Sequence, residues 1–142
     1  MCLHTKQKWW RWATKDIKCY KVMKRSVSGG GTVYYTPYQD TEVHKSVIEG
    51  KCYFRATGVS EFRTIRDFYY FDGNRFVLAE YGYEIDDGAI HAFQEEKKGW
   101  GIIRYGTGNV LFECIIPKGT RYAIGLDGDI CAKKIKFIKE LL

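Results

Sequence analysis

The chain has 142 residues, of which 45% are hydrophobic and 28% charged, a balance that excludes intrinsic disorder and a length that suits one domain. No apolar run approaches the ~18 residues of a membrane-spanning helix, and the start lacks the basic, apolar and small-residue sections of a secretory leader. The net charge of +6 is concentrated: residues 1–25 hold eight bases against one acid, Asp16, and the rest of the chain is close to neutral.

Residues 1–16 show no clean period and read as a basic, Trp-rich arm ahead of a single domain over residues 17–142. Residues 17–24 alternate, with Ile17, Cys19 and Lys21 on one face and Lys18, Tyr20, Val22 and Lys24 on the other, which predicts a strand. Residues 26–31 are a glycine-rich turn. Residues 32–36 are a second strand, stopped by Pro37, which removes a ladder donor. Residues 38–51 fit neither period. A strand is expected over residues 51–57 and a short helix near residues 58–62, with Ser60 as N-cap. Residues 68–71 and 75–81 flank Asp72-Gly73-Asn74, a hairpin signal.

An apolar run over residues 89–93 precedes a polar stretch, residues 94–98, that suits a short helix limited by Gly99 and Gly101. Residues 110–116 are a buried strand between Gly108 and Pro117, with residues 120–124 as the next strand and Asp127-Gly128-Asp129 as a turn. The tail, residues 130–142, alternates as a strand, while Ile135, Ile138, Leu141 and Leu142 also match helical spacing. Strand runs outnumber helical ones and no regular βαβ alternation occurs. The expected class is therefore α+β, a mainly antiparallel sheet with one or two short helices. The aromatic content of 16% agrees, because aromatic side chains pack well on a pleated surface.

Five cysteines, Cys2, Cys19, Cys52, Cys114 and Cys131, show no CxxC spacing. Cys19, Cys52 and Cys114 lie in strand-like runs and read as small hydrophobes. The odd count points to a reducing compartment, hence the cytoplasm. His4, His44 and His91 are far apart and give no metal-ligand spacing, so no metal site is expected. Asp86, Asp87, Asp127 and Asp129 sit beside glycines, where turn chemistry accounts for them. In the arm, Lys6, Lys8 and Arg11 interleave with Trp9, Trp10 and Trp12. Bases of that kind neutralise phosphates and aromatic faces stack on unpaired nucleobases; the alternative is that the tryptophans dock the arm on the body.

The segments Asp16-Ile-Lys-Cys-Tyr-Lys-Val-Met23, Tyr35-Thr-Pro-Tyr-Gln39, Gly88-Ala-Ile-His-Ala-Phe93, Phe112-Glu-Cys-Ile-Ile-Pro-Lys-Gly-Thr120 and Cys131-Ala-Lys-Lys-Ile-Lys-Phe137 resemble a group of small uncharacterised proteins of bacteriophages and gut-type bacteria. That resemblance implies a phage or bacterial origin and no particular activity. Leu111-Phe-Glu-Cys-Ile-Ile-Pro-Lys-Gly-Thr-Arg-Tyr122 looks like the strand of bacterial ADP-ribosyltransferase toxins that carries the catalytic carboxylate. This second resemblance implies NAD as substrate and Glu113 as the catalytic acid, stabilising an oxocarbenium-like ribose as nicotinamide leaves. Leu111 stands where those enzymes carry Gln or Glu. Tyr20 and Lys21 stand where an Arg or His would bind NAD, and Tyr35-Thr36-Pro37 where they carry Ser-Thr-Ser.

The leading expectation is a non-catalytic binding domain without a cofactor. Its cleft would be lined by Tyr20, Tyr35, Tyr38 and His91, and its partner a nucleotide-like ligand or a host protein. The alternatives are an NAD-consuming ADP-ribosyltransferase-like enzyme and a nucleic-acid binder acting through the arm.

Overall fold

The alternation that starts at Ile17 does not stop at Lys24. In the computed structural model, which describes residues 3–37, 40–56, 61–85, 88–104 and 106–141, it runs on to Ser28. Two short strands precede it, β1 (Leu3–Thr5) and β2 (Arg11–Trp12), so it is β3 (Ile17–Ser28). The expected glycine-rich turn shrinks to Gly29 and Gly30, and β4 (Gly31–Tyr35) returns against β3. Gly31 has φ 114°, which a side chain would strain. The ambiguous segment holds β5 (Glu42–Val43) and α1 (Lys45–Ile48), whose cap is the ring of His44 accepting from Ser46 N–H.

The strand expected over residues 51–57 is reduced to β6 (Phe54–Arg55), and Cys52 lies exposed ahead of it. Of the short helix expected near residues 58–62, residues 58–60, with the N-cap Ser60, lie outside the described residues, while Phe62 already belongs to the next strand. The hairpin is longer than its turn signal alone announces: β7 (Phe62–Phe71) pairs with β8 (Phe76–Ile85) from end to end, interrupted at Asp67, whose φ is 53°.

After β9 (Ile90–Phe93), the helix α2 (Glu96–Ile103) passes through both glycines expected to limit it. The reason lies in packing. A Cβ at Gly99 would come within 2.4 Å of Leu111 Cδ1, so the glycine lets the helix lie directly on the sheet. The strand at residues 110–116 is β10 (Asn109–Ile116), followed by β11 (Arg121–Ile124). The tail forms two strands, β12 (Asp129–Ala132) and β13 (Lys134–Leu141).

Every strand pairing among the described residues is antiparallel. The fold is thus α+β, mostly antiparallel sheet with two short helices among the described residues. The larger sheet runs β2-β11-β12-β9-β3-β10-β13-β6, with β4 attached to β3 and β5 to β4. The smaller runs β1-β8-β7. The segment expected as an irregular arm thus contributes an edge strand to each sheet, and Leu3 and Ala13 are buried. Strands of three and two residues are too short to show a period, and their partners come from far along the chain.

The main core lies on one face of the larger sheet. Cys19 and Met23 of β3 meet Val110, Phe112, Cys114 and Ile116 of β10 and Ile135 and Phe137 of β13. The Phe112 ring stands edge-on to Tyr34 and Phe137, at 5.5 and 5.1 Å between centroids. A second cluster, Leu3, Ile85, Ala89, Ala123 and Cys131, with Trp10 and Phe62 packed against it, ties the small sheet to the large one. No helix long and apolar enough to cross a membrane occurs among the described residues.

Phe112→Ala removes a ring that is 2% exposed at the junction of three strands. The expected loss is about 3–5 kcal/mol in urea unfolding. A loss under about 1 kcal/mol would show that the site collapses around the gap.

Candidate ligand-binding site

Tyr20 and Lys24 each have two strand partners, so each is paired on both flanks. One flank of β3 belongs to β10 from Ile17 to Lys24. The other is divided: β9 meets it at Tyr20↔Phe93, and β4 takes over at Lys24↔Tyr35. Between those points, Lys21, Val22 and Met23 have no ladder partner on that flank among the described residues. The two strands diverge there and leave a cavity of about 490 Å³.

Its lining is mixed. Val22, Pro37, Ala92, Phe93 and Ile102 are apolar, while Lys21, Lys24, His91, Thr107 and Asn109 supply polar groups, and no Asp or Glu lines the cavity among the described residues. Lys21 is the unusual member, being only 8% exposed. Its Nζ donates to the His91 carbonyl at 2.8 Å, bridging the gap where the ladder has ended. Burial disfavours the charged form and pulls its pKa down to about 8. Burial likewise pushes the Cys19 thiol up to about 12 and Cys114 well above its ordinary value, so these neighbours stay neutral. Asn109 Oδ1 is buried without a hydrogen-bond partner among the described residues. Lys24 reaches outward to Asp40 at 3.5 Å.

The expected site residues are distributed unevenly. His91 lines the cavity. Tyr20 and Tyr35 flank the fork as paired residues of β3 and β4, half-buried, and are not among the lining side chains. Tyr38 lies outside the described residues. Lys21 and Asn109 were missed. For Lys21 the signal was present, since it shares a face with Ile17 and Cys19, where a base is out of place.

Glu113 is on central β10, opposite Tyr20 of β3 and Lys139 of β13. Its carboxylate lies 3.4 Å from Lys18 Nζ, and the residue does not line the cavity. Of the basic aromatic segment, Trp10 packs edge-on against Phe62 and carries Lys133 over its ring. Lys6 lies over Tyr70, and Arg11 donates to Gln7 Oε1. Trp9 and Trp12 are exposed, with Arg121 beside Trp12. Lys8 has no hydrogen bond or ion pair among the described residues.

The depressed pKa of Lys21 carries a sign that can be measured. The unfolded chain holds the proton more tightly than the native one, so protonated Lys21 destabilises the fold below about pH 8. That penalty fades as pH rises from about 8 towards the ordinary 10.5. Relative to Lys21→Met, which keeps the stem and cannot titrate, the wild type is expected to gain about 1 kcal/mol between pH 8 and 9. A pH-independent difference would place the ammonium in water.

Glu113→Gln tests the carboxylate. Because Lys18 is 61% exposed, the pair is screened, and the expected cost is under about 1 kcal/mol. No nicotinamide is expected from NAD with either protein; release by the wild type that the variant abolishes would make Glu113 catalytic.

Comparison with protein-family models, with curated proteins and with solved structures finds no match to this chain.

Proposed function

We propose that the chain is a non-catalytic binding domain that takes a small, anionic, nucleotide-like ligand in the cavity where β4 and β9 part from β3. The observation that carries this reading is the buried ammonium of Lys21 in a cavity whose lining, among the described residues, contains no carboxylate. Among the described residues the partner of this ammonium is a neutral carbonyl, and a buried cation held by no more than that is costly. An anionic group entering the cavity would supply the missing charge, and low surrounding dielectric would strengthen the attraction. Phe93, Val22 and Ile102 offer an apolar bed for a ring, and Asn109 Oδ1 offers an acceptor for an amino group. This arrangement, a mostly apolar cavity with a few convergent polar groups, is the usual form of a small-molecule site. The resemblance to small phage and bacterial proteins supports a bacterial cytoplasm as its setting.

Isothermal titration with AMP, ADP, adenosine and inorganic phosphate tests the reading. A nucleotide is expected to bind more tightly than adenosine or phosphate alone, because base and phosphate use different parts of the lining. Affinity should weaken between pH 7 and 9 as Lys21 loses its proton, and Lys21→Met should lose about tenfold or more. Equal binding by that variant, or no binding by any of the four, would overturn the proposal.

A further inference from the structure

The tip of the β7–β8 hairpin exposes large apolar side chains without an internal reason. Tyr69 is 62% exposed, Phe71 48%, Phe76 75% and Leu78 53%. They are cross-strand partners, Tyr69 with Leu78 and Phe71 with Phe76, so they form one contiguous group. Scattered exposed apolar residues need no explanation, whereas a contiguous set marks a contact surface.

Between this tip and the turn that joins β11 to β12 lies a groove of about 420 Å³. Five rings of the hairpin line it, those of Phe68, Tyr69, Tyr70, Phe71 and Phe76, together with Leu126, the carboxylate-bearing Asp127 and the imidazole of His4, which is turned to Glu84 at 3.3 Å. Asp127 makes no ion pair or hydrogen bond among the described residues. Its turn is held in place, since Leu126 N–H donates to the His4 carbonyl at 3.1 Å and Gly125 packs on Leu3. The chain itself shows what these rings accept. The ammonium of Lys6 sits over the Tyr70 ring, 3.8 Å from its centroid.

Aromatic faces attract cations through their quadrupole, and quaternary ammonium ions, which lose little hydration on entering an apolar groove, are a common partner of such rings. A negatively charged rim adds to that attraction. A polyanion has no comparable basis here. The bases of the hairpin tip, Arg66 and Arg75, are outnumbered by Asp67, Asp72 and Glu80.

We propose that this groove is a binding site for a small molecule bearing a quaternary ammonium group, held by the aromatic rings of the hairpin and by Asp127. The site is separate from the cavity at β3 and does not depend on its ligand. The side chain of Lys6 competes for one ring and sets an internal limit on affinity.

The experiment titrates the full chain with choline and with 3,3-dimethyl-1-butanol, its neutral carbon isostere, following amide shifts by NMR. Choline is expected to bind about tenfold more tightly and to shift residues of the hairpin tip and the β11–β12 turn. Phe76→Ala and Asp127→Asn, both at exposed positions, should weaken choline about threefold or more, and Lys6→Ala should strengthen it. A trimethyl-lysine peptide should bind no more tightly than choline. Equal binding of choline and its isostere, or no binding of choline, would overturn the site. A peptide bound far more tightly than choline would overturn the assignment to a small molecule. Self-association through the tip that choline does not disturb would assign the rings to a second copy of the chain and overturn it too.

Discussion

The unequal pairing of β3 governs the larger sheet. One flank is filled by a single strand, β10, while the other is shared by β9 and β4, which meet it at different points. Two strands that join the same flank at separate places part between those places. The parting removes ladder partners from the backbone, and buried backbone groups need partners. Lys21 answers part of that need by carrying an ammonium to the His91 carbonyl. The divergence that opens the cavity is therefore also the reason a cation is buried beside it.

That cation defines the chemistry of its surroundings. Cys19 and Cys114 face each other across β3 and β10, yet burial holds both as neutral thiols. They offer Lys21 no counter-charge. The cavity thus combines apolar walls with a buried lysine that has no carboxylate partner among the described residues, an arrangement that costs stability. The opposite sign prevails at the hairpin groove, where rings and a carboxylate collect. The two depressions differ in the charged side chains that line them although both are rich in apolar surface.

Much of the strand order was legible because long buried or alternating runs announce themselves. Residues 17–24 and 110–116 were found for that reason, and the hairpin from Asp72-Gly73-Asn74. The tail resolved as strand because β13 pairs with β10 along most of its length, a long-range constraint that local spacing does not contain. The reach of α2 through Gly99 was hidden for a similar cause, since the value of a missing Cβ depends on Leu111 across the gap. At the cavity, His91 stood out by its apolar neighbours. Asn109 did not, because an acceptor becomes notable only when folding buries it without a partner. The tyrosines stand out by residue type alone, whereas the register places Tyr20 and Tyr35 as paired residues at the two ends of the fork.

The sheet order also bears on how the chain is made. The hairpins β3–β4 and β7–β8 join neighbours in sequence and can close as soon as they leave the ribosome. The rest of β3 cannot close so early. Its partner β10 lies at Asn109–Ile116, and β2 waits for β11 at Arg121–Ile124. During synthesis the N-terminal half therefore carries Cys19, Val22 and Met23, destined for the interior, on an open strand edge, a state prone to wrong pairings. The spine of the sheet is among the first segments to be translated and among the last to be enclosed.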